Sequence, residues 1–160
     1  MKEKAKRRAI LAFVLNRSGV LNKISMLIRR KMYNVDTLTV CATLQPGISR
    51  MTLTLREESD AKAAQVVKQL ERMTEVVSAK ELDIDQSFWR EVAIVKFEAD
   101  PHHLEELQGA FPLEILDRRN HELVVAQIAG TSQKIDDFLG AVGQEKVVEV
   151  ARSGFTAMEK

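Results

Sequence analysis

Asn16-Arg17-Ser18-Gly19-Val20-Leu21 is the segment whose residue types and spacing best suit holding a small zwitterion. An apolar run ends just before it and a helical stripe starts just after, so it reads as a strand-to-helix turn. The first turn of a helix leaves backbone N–H groups without partners, and these point at an anion such as a carboxylate. Gly19 lets a ligand approach without a Cβ, and the Asn16 amide offers a donor and an acceptor, so both charges of an α-amino acid find a partner. Asn-x-x-Gly also builds an ordinary turn, and the local motif leaves both readings open. Asn34, after Tyr33, opens the next strand and is expected beside the same loop.

Other chemistries find less support. His102 and His103 are neighbours, so they do not share a helical face as an i, i+4 metal pair would, and His121 falls in a predicted hairpin turn. Cys41 lies on an alternating strand with no base nearby in sequence and reads as a small buried residue. Neither a catalytic residue nor a metal ligand is expected. With 160 residues, 24 Lys plus Arg against 23 Asp plus Glu and 45% hydrophobic residues, the composition is that of a soluble globular protein, without the basic excess of non-specific nucleic-acid binders. The single Cys allows no internal disulfide and fits a reducing, cytoplasmic setting. No segment reaches the roughly 18 to 20 apolar residues that span a bilayer.

The elements that position the turn follow from period. The basic lead Lys2, Lys4, Lys6, Arg7 and Arg8 precedes a buried strand running to Leu15, and Ser18 is expected to cap a helix whose stripe is Val20, Leu21, Ile24, Leu27 and Ile28. Leu38, Val40 and Ala42 then alternate with Thr37, Thr39 and Cys41, and after Gln45-Pro46-Gly47 the strand returns through Met51, Leu53 and Leu55. Ser59 or Asp60 caps a second helix, and 75–82 returns to strand. The order is βαββαβ. Residues 83–87 read as a linker, after which the order repeats, with Asp100-Pro101 and Thr131-Ser132 starting helices and Gly143 ending one. The expectation is an α+β fold of two tandem ferredoxin-like βαββαβ domains, 1–82 and 88–160. RNA-recognition modules share this order but stack bases on strand aromatics; here Phe13 has no aromatic counterpart in Met51-Thr52-Leu53-Thr54-Leu55.

Five segments carry a family resemblance: Asn16-x-x-Gly19; 33–40, beginning Tyr33-Asn34-Val35-Asp36; Ser49-Arg50-Met51-Thr52; Gln127-Ile128-Ala129-Gly130-Thr131-Ser132 with Lys134 to Leu139; and 148–154, ending Ala151-Arg152-Ser153-Gly154. Over roughly residues 8–158 the chain resembles the small regulatory subunit of acetolactate synthase (acetohydroxyacid synthase). The resemblance implies an N-terminal ACT domain, a second ferredoxin-like domain, a homodimer through ACT sheets, and a branched-chain amino acid, usually valine, bound at that interface. It also implies a catalytic large subunit carrying thiamine diphosphate, Mg2+ and FAD, none of which belongs to this chain, and a non-catalytic role in activating that subunit and conferring feedback inhibition. A stand-alone amino-acid sensor is the alternative. By the same resemblance Asn16 and Gly19 match the effector loop, Val20 and Leu21 line the pocket, Asn34 is the neighbouring polar contact, and Cys41 lies near the pocket. Met32 stands where relatives often carry Gly. A left-handed helix end there costs Met on the order of 1 kcal/mol more than Gly, so a different turn is expected.

Overall fold

The computed structural model describes residues 7–57, 59–119 and 122–160; Lys2, Lys4 and Lys6 of the basic lead, and Asn120 and His121, lie outside them. The chain divides into two compact units, 1–88 with 155–160, and 89–154.

In the first unit the apolar run becomes β1 (Arg7–Leu15), followed by α1 (Val20–Lys31), β2 (Val35–Ala42), β3 (Ile48–Arg56), α2 (Asp60–Glu71) and β4 (Val76–Leu82). The sheet order is β2-β3-β1-β4, and β3 is antiparallel to both β1 and β2. Strands β1 and β2 therefore run parallel, with α1 as the crossover between them. Opposed residues share a face. Ile10, Ala12 and Val14 of β1 and Met51, Leu53 and Leu55 of β3 meet Val20 and Ile24 of α1 and Val66 and Leu70 of α2 in one core. This is the pattern read from the alternation.

Two local expectations are corrected. Gly19, not Ser18, is the N-cap of α1, with φ 85 and no side-chain capping bond. A positive φ suits glycine and strains serine, so the boundary falls one residue later. At the other end the turn at Met32 is the left-handed one after all, with φ 58. Met32 N–H donates to Arg29 O at 3.1 Å and Tyr33 N–H to Ile28 O at 3.2 Å, the paired bonds of a Schellman end. Tyr33 and Ile28 both pack on the core, which supplies the apolar contact that accompanies this motif. Those bonds and that contact hold the residue in place against the backbone strain.

The second unit repeats the order: β5 (Ser87–Glu98, whose first two residues belong to the first unit), α3 (Pro101–Ala110), β6 (Leu113–Arg119), β7 (Leu123–Gly130), α4 (Ser132–Val142), a short 3-10 turn (Gln144–Lys146) and β8 (Val147–Arg152). Its sheet runs β6-β7-β5-β8. Asp100 caps α3 ahead of Pro101, and Thr131 caps α4, as expected. Phe97 and Phe111 both meet Phe138 edge to face, at 5.7 and 5.5 Å between ring centres, in the core under this sheet.

Residues Phe155–Lys160 return to the first unit, where β9 (Thr156–Glu159) pairs with β5 and Lys160 N–H donates to Gln86 O at 3.0 Å. Phe155 and Ala157 are buried. Arg50 donates to Ala157 O, Arg7 lies 5.1 Å from the centre of the Phe155 ring, and Lys80 pairs with Glu159. By register Arg7 and Arg50 sit on the sheet face away from α1 and α2, as does Lys80, so this tail covers part of that face. The 83–87 stretch carries no helix and enters β5 at Ser87.

Candidate functional site

β1 delivers its last residue, Leu15, opposite Ile48 at one end of the first sheet, and the turn to α1 starts there. Asn16 N–H donates to Gly47 O at 2.8 Å, so the β2–β3 turn buttresses the loop; Gly47, with φ 78, supplies the bend that brings its carbonyl round. Arg17 N–H donates to Leu15 O at 3.0 Å, and Gly19 then hands over to the helix. The side chains of Ser59, Asp100 and Thr131 cap the N-termini of the other three helices, whereas α1 has no side-chain cap and no acidic residue in its first turn. Val20 N–H donates to Arg17 O at 3.4 Å, and the following first-turn N–H groups and the positive end of the dipole are available to an anion. Glu75, the nearby acid, is engaged by Lys23, whose hydrogen bond holds the Glu75 carboxyl below the ordinary carboxylate range. Space around Gly19 is open: a Cβ there would meet nothing within 4 Å.

A hollow of about 80 Å3 opens against this turn, lined among others by Asn16, Arg17, Val20, Leu21, Val40 and Met51. It lies well below the roughly 300 Å3 at which drug-sized ligands fit. An aliphatic floor beside free N–H groups and a carboxamide can hold a small amino acid, carboxylate on the helix end and side chain on the floor. Among the described residues no group of three or more His, Cys, Asp or Glu is placed to hold a metal.

Of the six residues expected to form the site, Asn16, Gly19, Val20 and Leu21 come together here. Asn34 does not. It precedes β2 at the opposite end of the sheet, where its carbonyl accepts from Arg56 N–H at 3.4 Å, eight residues along β3 from Ile48 and so about 26 Å away. Cys41 is also corrected: it is exposed, and by register it shares the Arg50 face, while its neighbour Val40 faces the hollow. Val40, Ser49 and Met51 also line the hollow without being among the expected site residues, although Ser49 and Met51 lie in one of the segments that carry the resemblance. The parity that put Val40 and Met51 on the core face was the available signal, since the rim of a core at a sheet end is where a hollow forms. Phe13, the one strand aromatic relevant to RNA stacking, has the Arg50 guanidinium 5.6 Å from its ring centre, on the face the tail partly covers.

The two long signature segments of the second half also converge. Glu91, 4% exposed, takes two hydrogen bonds from Arg152, one of them 3.2 Å, and one from Ser132 Oγ at 2.8 Å. Arg152 reaches Asp136 Oδ1 at 2.6 Å as well. The Glu91 bond, then that of Asp136, raises the Arg152 pKa above the usual arginine value despite partial burial. Ser132 and Asp136 of α4, Glu91 of β5 and Arg152 of β8 thus fasten α4 to the ends of β5 and β8, an architectural role.

Comparison with known proteins agrees over nearly the whole chain. Residues 10–78 match the family model described as AHAS small subunit-like ACT domain, and residues 90–160 the one described as small subunit of acetolactate synthase. The isozyme 3 small subunit of acetolactate synthase from Salmonella typhimurium is 35% identical over 159 residues, covering 96% of each chain. The acetolactate synthase small subunit of Bacillus subtilis is 31% identical over 157 residues, covering 96% of this chain and 91% of its own. The crystal structure of the acetolactate synthase small subunit from Thermotoga maritima superposes with a TM-score of 0.88 at 28% identity, covering 97% of this chain and 98% of the other.

Proposed function

The chain belongs to the family of acetolactate synthase small subunits, regulatory partners of a catalytic large subunit, and we propose that it activates that subunit and makes it sensitive to valine. The observation that carries this reading is the uncapped N-terminus of α1 beside the small apolar hollow. The effector carboxylate sits on the first-turn N–H groups beyond Val20, its ammonium meets the Asn16 side-chain oxygen, and its branched side chain lies against Val20, Leu21 and Val40. Condensation of pyruvate with a second 2-keto acid, and the thiamine diphosphate, Mg2+ and FAD it uses, belong to the large subunit in this reading. A cytoplasmic setting follows from that partner.

The remaining polar contact comes from a second copy. β2 is an edge strand of eight residues containing neither Lys nor Pro, the devices that usually protect an open edge. Its counterpart in the second unit differs, since the edge strand β6 carries the cations Arg118 and Arg119. Antiparallel pairing of two β2 strands about a twofold axis sets the start of one beside the end of the other. Because β1 and β2 are parallel, that end is also the Asn16 end, so Asn34 of the second copy reaches the loop it cannot reach within its own chain. Effector binding across two copies then changes how the dimer engages the large subunit; couplings of this kind are typically about 1 to 3 kcal/mol.

The test is acetolactate formation by the purified large subunit, with and without this chain, titrated with valine, leucine and isoleucine. The reading predicts activation by the chain and inhibition strongest with valine. Activity that saturating chain leaves unchanged contradicts it, and an amino-acid response without any effect on that enzyme favours a stand-alone sensor.

A further inference from the structure

Helix α1 carries a second stripe outside the effector hollow, of which Leu27 packs partly against the core while the rest faces outward. Lys23, Met26, Leu27 and Arg30 stand at i, i+3, i+4 and i+7, on one face of the helix. With Met73, which follows α2, they line a depression of about 270 Å3 on the helical side of the first unit. Met26 is 53% exposed, an unusual position for a large apolar side chain on a helix that already buries Val20 and Ile24. The last turn of α1 is Arg29-Arg30-Lys31, and among the described residues these three have no carboxylate partner, whereas Lys23 pairs with Glu75.

We propose that this depression is the docking site for an acidic helix of the catalytic large subunit, one that inserts a Leu, Ile or Phe between Met26, Leu27 and Met73 and sets carboxylates against Arg29, Arg30 and Lys31. The proposal rests on the regulatory-subunit reading for the identity of its partner. Methionine suits the role because its unbranched, polarisable chain adapts to an incoming side chain. Cations clustered at a helix C-terminus gain from the dipole and wait for an anionic partner. A second copy of this chain is a poorer occupant, because in the proposed dimer the β2 edge already provides the twofold contact. Nucleic acid is disfavoured by the apolar floor, which offers sulfur and aliphatic carbon where base stacking needs aromatic rings.

The test is the dissociation constant between the purified large subunit and full-length chains carrying Arg30→Glu, Met26→Glu or the control Arg30→Lys, at low and high salt. The circular-dichroism melting curve of each chain is recorded alongside. The expected result is affinity at least tenfold weaker for Arg30→Glu and for Met26→Glu with melting curves near wild type, near-normal binding by Arg30→Lys, and a salt dependence that is steeper for wild type than for Arg30→Glu. Wild-type binding that Met26→Glu and Arg30→Glu both leave intact overturns the docking site alone. Failure of the wild-type chain to bind the large subunit overturns the regulatory-subunit reading and the docking site with it. Loss of RNA retention in the variants with large-subunit binding unchanged assigns the patch to nucleic acid and overturns the proposal.

Discussion

Met32 shows at a single residue how a local cost is met by its surroundings. A side chain at φ 58 carries a penalty of about 1 kcal/mol relative to glycine, and Met32 is 88% exposed, so its own packing offers little in return. The two Schellman bonds and the Tyr33 contact hold the turn regardless. Met32→Gly is therefore expected to raise stability by about 1 kcal/mol in urea unfolding, with the fold unchanged. A loss of stability would show that the methionine makes contacts worth more than the strain. Asn34 teaches a different lesson. Its placement beside Asn16 was refutable from the sequence, because α1 has twelve residues, so the residue after its end lies about 20 Å from the residue before its start. Within one chain Asn34 therefore stays at the far end of the sheet from the α1 turn, and a contact between them requires a second copy.

Among the elements, those with strong local chemistry were legible: the alternation of β2, the Asp100-Pro101 start of α3, and the Thr131 cap of α4. The start of α1 was not, since Ser18 and Gly19 both satisfy N-cap preference and only the backbone angle decides. Nor was the network that joins Glu91, Ser132, Asp136 and Arg152, whose members are spread over 62 positions and meet only when β5, α4 and β8 assemble. Breaking one partner of such a network leaves a carboxylate buried without its counter-charge. Arg152→Met should destabilise the second unit by about 3 kcal/mol, read by the fluorescence of Trp89 in urea. That residue is the only tryptophan of the chain and shares β5 with Glu91, so its signal follows this unit. A midpoint that does not move would mean Glu91 finds other partners in the variant.

For the molecule as a whole, the repeated βαββαβ order was readable, and the return of the tail was not. Phe155–Lys160 is too short for periodicity to reveal, and its strand β9 forms only by pairing with β5, far away in sequence. Phe155, 4% exposed, anchors it. Phe155→Ala should cost the first unit about 3 kcal/mol, seen as faster amide hydrogen exchange in β1 and β3 with β7 unaffected. Equal protection in both proteins would show the tail to be a passive cover. What the tail leaves free, the α1 turn and the β2 edge, is where regulation is placed in this account. The most direct measurement is valine inhibition of the reconstituted holoenzyme with Gly19→Asp in place of the wild-type chain. A carboxylate at that position occupies the free N–H groups, so the account predicts activation close to wild type and at least tenfold lower sensitivity to valine. Unchanged valine sensitivity in an activated Gly19→Asp holoenzyme would contradict it.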